Sequence, residues 1–154
     1  MFKLRAACAA IILSICAAAF GSDAGIVYGK GRLETHRKTD AAVDFWVASA
    51  SQSGVYGRFW FVEWHQGQNS NNYAVEISLN RFAGFGCNGN SAAFGGPGYL
   101  NGTPRYIVAE MLDGGAGPDL ILVGAFHPVS MTLLYDRYCV FRTGGLTVLC
   151  RPFG

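Results

Sequence analysis

Cys139-Val140-Phe141-Arg142-Thr143-Gly144-Gly145-Leu146-Thr147-Val148-Leu149-Cys150 is the stretch whose reading decides the fold class. Two runs of strand-forming residues flank Gly144-Gly145, and paired glycines suit the positive φ angles of a two-residue hairpin turn. Folding the strands about that turn sets Cys139 opposite Cys150. Facing Cα atoms of an antiparallel pair lie about 4.5–5.5 Å apart, within the roughly 4.4–6.8 Å that a disulfide spans. The stretch therefore predicts a hairpin closed by a Cys139–Cys150 bridge, in a β protein matured in an oxidising compartment.

The opposite end of the chain points to the same compartment. Met1-Phe2-Lys3-Leu4-Arg5 is a short basic segment, and Ala6 to Phe20 is an apolar and small-residue run. This is the pattern of a cleaved secretory leader, and the run is shorter than the roughly 20 apolar residues of a membrane span. Cleavage after Gly21 or Ala24 satisfies the small-residue rule. We take residues 1–24 as signal peptide and 25–154 as one all-β domain, with no stable membrane span after processing.

Beyond Ala24 the chain holds ten basic and nine acidic side chains. No basic cluster is longer than Arg37-Lys38, so the footprint expected for nucleic acid or anionic lipid is absent from the sequence. Three cysteines remain, and a Cys139–Cys150 bridge leaves Cys87 over. The 21 glycines of the whole chain interrupt every candidate helix. Short apolar runs separated by turn signals predict a single-domain antiparallel β-barrel or β-sandwich of about nine to ten short strands. Three of these strands are expected at the C-terminal end, over Met131 to Tyr135, Tyr138 to Thr143 and Leu146 to Arg151. The polar stretch Gln66 to Asn72 reads as a surface loop.

Ala42 to Ala48 and Tyr56 to Trp64 read as a hairpin. With Phe45 facing Phe61, alternation places Val43, Phe45, Val47, Phe59 and Phe61 on one face and Trp46, Trp60, Val62 and Trp64 on the other. Burial under a second layer is the common fate of such a face. The functional reading is a binding platform of Trp46, Trp60 and Trp64 for a sugar ring or an apolar ligand, because aromatic rings give large contact area at low entropic cost.

Catalytic patterns are weak by comparison. His36, His65 and His127 lack metal-ligand spacing. Glu63 and His65 lie two residues apart on one strand face, the arrangement of an acid–base pair, but strand-end Glu and His are more often simple surface groups. Serines lack a nucleophile elbow. Asp113 and Asp119 flank Gly114 to Pro118, a weak calcium candidate, since two carboxylates fall short of the six to eight oxygens calcium takes; turn formation explains them more simply.

Read in order, Gly96-Pro97-Gly98-Tyr99-Leu100-Asn101-Gly102, Tyr106-Ile107-Val108, Asp113-Gly114-Gly115 with Pro118-Asp119, Leu133-Leu134-Tyr135-Asp136 and Gly144-Gly145-Leu146-Thr147-Val148 form a series. Earlier elements are Gly29-Lys30-Gly31, Phe45 and Gly57-Arg58-Phe59-Trp60-Phe61. The series resembles the post-COAP-type domain of bacterial secreted and surface proteins. Arg137 departs from the Asn that commonly follows the Tyr-Asp pair there, and the cysteines are not part of that pattern. The resemblance implies a compact antiparallel β domain, an accessory piece of an extracellular protein with no catalytic residues to carry over. The expectation is thus a secreted, non-enzymatic binding or structural module needing no cofactor, its partner a glycan or a protein. The alternatives are a small secreted enzyme using Glu63, His65 or Asp113, and a ligand-carrying barrel.

Overall fold

The computed structural model describes residues 24–50, 54–65 and 73–151. Of the leader reading, residues 1–24, all but Ala24 lie outside the described residues, as does the polar loop at 66–72. Nine strands follow in order: β1 (Gly25–Thr35), β2 (Asp40–Ala50), β3 (Gly54–Glu63), β4 (Val75–Leu79), β5 (Gly84–Asn88), β6 (Ser91–Leu100), β7 (Thr103–Leu112), β8 (Leu120–Phe126) and β9 (Leu133–Cys150).

All pairings are antiparallel, in the order β4-β3-β2-β1-β9-β8-β7-β6-β5, and β4 pairs again with β6. Eight strands therefore close into a barrel, and β5 lies beside the first half of β6 as an extra strand. Closure rests on two residue pairs, Ile77–Leu100 and Ser78–Tyr99. Glycine makes that crossing possible, since a Cβ at Gly96 or Gly98 would collide with the carbonyl of Arg81 or Ser78. An eight-stranded barrel has an interior just wide enough for side chains to fill. Phe45, Phe59 and Phe94 fill it here, with ring centroids 5.5–6.3 Å apart, and Phe82 meets Phe94 edge-on at 5.6 Å.

The C-terminal stretch is not a hairpin. β9 runs unbroken for 18 residues, replacing the three short strands expected there. Its first part, from Leu133 to Val140, pairs with β8, and its last part, from Cys139 to Cys150, pairs with β1. Continuity wins because a hairpin would strip β1 of its partner and open the barrel. Gly144, at φ 75°, marks a bend beside a bulge at which Arg142 is the extra residue. Gly31 faces Gly144, and a Cβ on either would strike the backbone of the opposite strand. Asp119 secures the bend: its Oδ2 accepts the Leu146 N–H at 2.8 Å and its Oδ1 that of Gly114 at 2.9 Å.

The expected Cys139–Cys150 bridge is accordingly corrected. Along an extended strand the two residues rise about 3.3 Å per position and sit at different levels of the barrel. Cys139 points inward and is fully buried as a free thiol. Cys150 bonds to Cys87 of β5, with Cα atoms 5.5 Å apart.

Candidate functional site

The hairpin of β2 and β3 forms, two residues tighter than the sequence suggests. Ala50 faces Gly54 at its end, so Phe45 faces Phe59 and Val43 faces Phe61. The inward face is as expected: Val43, Phe45, Val47, Phe59 and Phe61 are all buried. On the outward face the shift separates the tryptophans. Trp46 lies between Tyr28 and Arg58 and is 44% exposed. Trp60 faces Asp44 instead, and is half-buried.

Trp60 and Trp64 meet around a residue that sequence reading missed. Tyr73, just before β4, stands edge-on to both, with ring centroids 5.8 Å from Trp60 and 5.5 Å from Trp64. Glu76 accepts the Trp60 indole N–H at 3.0 Å, holding the ring in place. The Arg32 guanidinium lies over the Trp64 ring, 4.7 Å from its centroid, and Trp64 is only 8% exposed. Such a contact is a cation–π interaction.

These groups border an outer-wall groove of about 630 Å³, whose lining includes Lys30, Arg32, Asp44, Trp60, Trp64 and Tyr73. Its position follows from register. Across β1 and β2, Arg32 faces Ala42, and Ala42 faces Val62 of β3. The small alanine makes a depression between a cation and an aromatic wall. Lys30 and Arg58 both reach Asp44 at 3.5 Å. The signal in the sequence was the outward alternation of Lys30, Arg32 and Asp44 with buried neighbours, which carries no site without the sheet register.

Glu63 and His65 do not form a pair. Glu63 points into the upper barrel and is 3% exposed, whereas His65 is exposed beyond the end of β3. The Glu63 carboxylate accepts bonds from the Thr39 hydroxyl at 2.6 Å, the Tyr135 hydroxyl at 2.6 Å and Arg137 Nε at 2.9 Å. Burial alone would raise its pKa, but these bonds and the Arg137 charge more than offset it and hold the carboxyl below its ordinary value of 4.5. Burial and the Glu63 charge push the Tyr135 hydroxyl and the Cys139 thiol far up, so both stay protonated.

Asp113 and Asp119 lie in the turn between β7 and β8, at the opposite end of the barrel from Glu63. Asp113 Oδ1 accepts the Gly115 N–H at 3.0 Å, an Asx turn, and both Asp119 oxygens hold backbone amides. Among the described residues, no group of three or more His, Cys, Asp or Glu is placed to hold a metal ion. No helix among them is long and apolar enough to cross a membrane. Comparisons with protein-family models, with curated proteins and with solved structures find no match for the chain.

Proposed function

We propose that the protein is a secreted, non-catalytic binding module that takes a glycan in the groove beside Trp60. The observation that carries this reading is the set of held aromatic rings, Trp60, Trp64 and Tyr73, around an open groove that also offers a carboxylate and two cations. A ring fixed before binding gives contact area without an ordering cost, and Trp60 is fixed through Glu76. Polar side chains around an apolar floor suit a sugar, which has a C–H face and a hydroxyl rim.

Secretion is supported by the leader pattern of residues 1–24 and by the Cys87–Cys150 bond, which belongs to an oxidising compartment. A barrel interior filled by Phe45, Phe59 and Phe94 favours a surface site over a carried ligand. Glu63, buried and bonded on every side, favours a structural role over acid–base chemistry. An accessory role agrees with what the resemblance to post-COAP-type domains implies.

The test is a titration of purified protein with a panel of neutral and acidic oligosaccharides, followed by tryptophan fluorescence and calorimetry. Binding by the wild type and its loss in a folded Trp60→Ala variant are expected. Equal binding by that variant would place the site elsewhere.

A further inference from the structure

We infer that the glycan is acidic, a hexuronate-bearing chain whose carboxylate is received by Arg32; this rests on the glycan-binding reading above. The other cations carried by strands β1, β3 and β9 are ion-paired, Arg137 with Glu63 among them. Lys30 and Arg58 share Asp44, while Lys38 and Arg142 share Glu34. Arg32 alone lines the groove with no carboxylate in ion-pair reach among the described residues, its guanidinium lying over the Trp64 ring. A guanidinium seated on an aromatic face keeps its N–H edge for a planar anion, and a carboxylate matches that fork with two parallel bonds.

The remaining groups select the kind of anion. The groove sets Arg32 beside the Lys30–Asp44 ion pair, with Thr143 also in its lining. A uronate offers its carboxylate to Arg32, a hydroxyl to Asp44, and a ring C–H face to Trp60. An acidic peptide offers Arg32 the same carboxylate but no rigid C–H ring face for Trp60 and no ring hydroxyls for Asp44. The groove volume of about 630 Å³ falls within the roughly 300–1,000 Å³ usual for ligand sites.

The test compares chemistry at constant shape. Oligomers of galacturonate, guluronate and glucuronate are titrated into the full mature protein beside their methyl esters, which keep the ring and lose the charge. The free acid should bind about tenfold tighter than its ester, the worth of one charge-assisted bidentate contact. That preference should shrink in molar salt and vanish in Arg32→Gln, whereas Trp60→Ala should weaken acid and ester alike.

Equal affinity for acid and ester overturns the inference and leaves glycan binding standing. Binding of neither across the panel overturns both. Capture of a glutamate-rich peptide in place of every oligomer overturns the glycan as occupant.

Discussion

Cys87 and Cys150 stand 63 residues apart in sequence and are joined by a disulfide at the lower end of the barrel. The bond spans a seam that the hydrogen-bond ladders leave open. β8 begins opposite Val140, so the lower half of β9 has β1 on one side, while β5 pairs only with β6. The Cys150 sulfur also lies 3.7 Å from the Ser91 carbonyl, at the start of β6. The cross-link thus supplies, at this seam, the closure that backbone pairing provides elsewhere.

Peptide mapping without reduction should recover Cys87 linked to Cys150, with Cys139 alkylated only after unfolding. A Cys139–Cys150 peptide would overturn the register of β9. For a loop of this length the chain-entropy model gives about 4 kcal/mol, so Cys87→Ser and Cys150→Ser should lower the unfolding free energy by up to that amount, and by similar values.

Opposite pH effects are expected from two carboxyls. Glu63 sits below its ordinary pKa in the folded state, so its contribution is present above that ordinary value and is lost as pH falls through the folded one. Glu110 is raised by burial, and its Oε2 has no hydrogen-bond partner. Its contribution is full below the ordinary value and is lost as pH rises through the folded one. Urea unfolding across pH 3–8 should show Glu63→Gln flattening the acid limb, with a loss of about 3–5 kcal/mol at neutral pH because Arg137 is left buried and unpaired. Glu110→Gln should be neutral or stabilising at pH 7. Identical pH profiles in both variants would refute this assignment.

Adjacent aromatic positions on β3 should separate core from site. Phe59 is buried at 1% exposure among Phe45 and Phe94, so Phe59→Ala should cost about 3–5 kcal/mol. Half-buried Trp60 lies outside that cluster, and Trp60→Ala should cost about 1–2 kcal/mol while the circular dichroism spectrum stays unchanged. Equal thermal destabilisation by the two changes would mean that Trp60 belongs to the core.

At the β9 bend, the melting temperature should be the same in excess calcium and in chelator, because Asp119 spends both oxygens on backbone amides. Asp119→Ala should instead lower stability by about 1–3 kcal/mol through two unsatisfied N–H groups. Gly144→Ala should cost about 1–3 kcal/mol as well, since alanine at positive φ is strained and its Cβ would strike the Lys30 carbonyl. A calcium-dependent rise in melting temperature, abolished by Asp113→Asn, would restore the metal reading.

Much of the inward face was legible because alternation is a local property. Val43, Phe45, Val47, Phe59 and Phe61 could be assigned to one face whatever their partners. The groove was half legible. Trp60 and Trp64 were visible as outward aromatics, but Arg32, Asp44 and Tyr73 become their neighbours only through the β1–β2–β3 register and the return of the chain into β4. A shift of two residues keeps every side chain on its face and changes every neighbour, which is why the faces were right and Trp46 was grouped wrongly.

The sequence by itself determined an all-β chain, its mostly apolar inward residues and the turn role of Asp113, because each follows from spacing or from a side chain bonding its own backbone. Tertiary structure decided the rest. Whether Gly144-Gly145 turns or bends, which cysteine meets Cys150, whether the sheet closes on itself, and what Arg32 lies against all depend on partners distant in the chain. Antiparallel pairing leaves the local pattern the same for either partner; the choice is made only when closing the ring gives β1, β9 and β6 both of their neighbours.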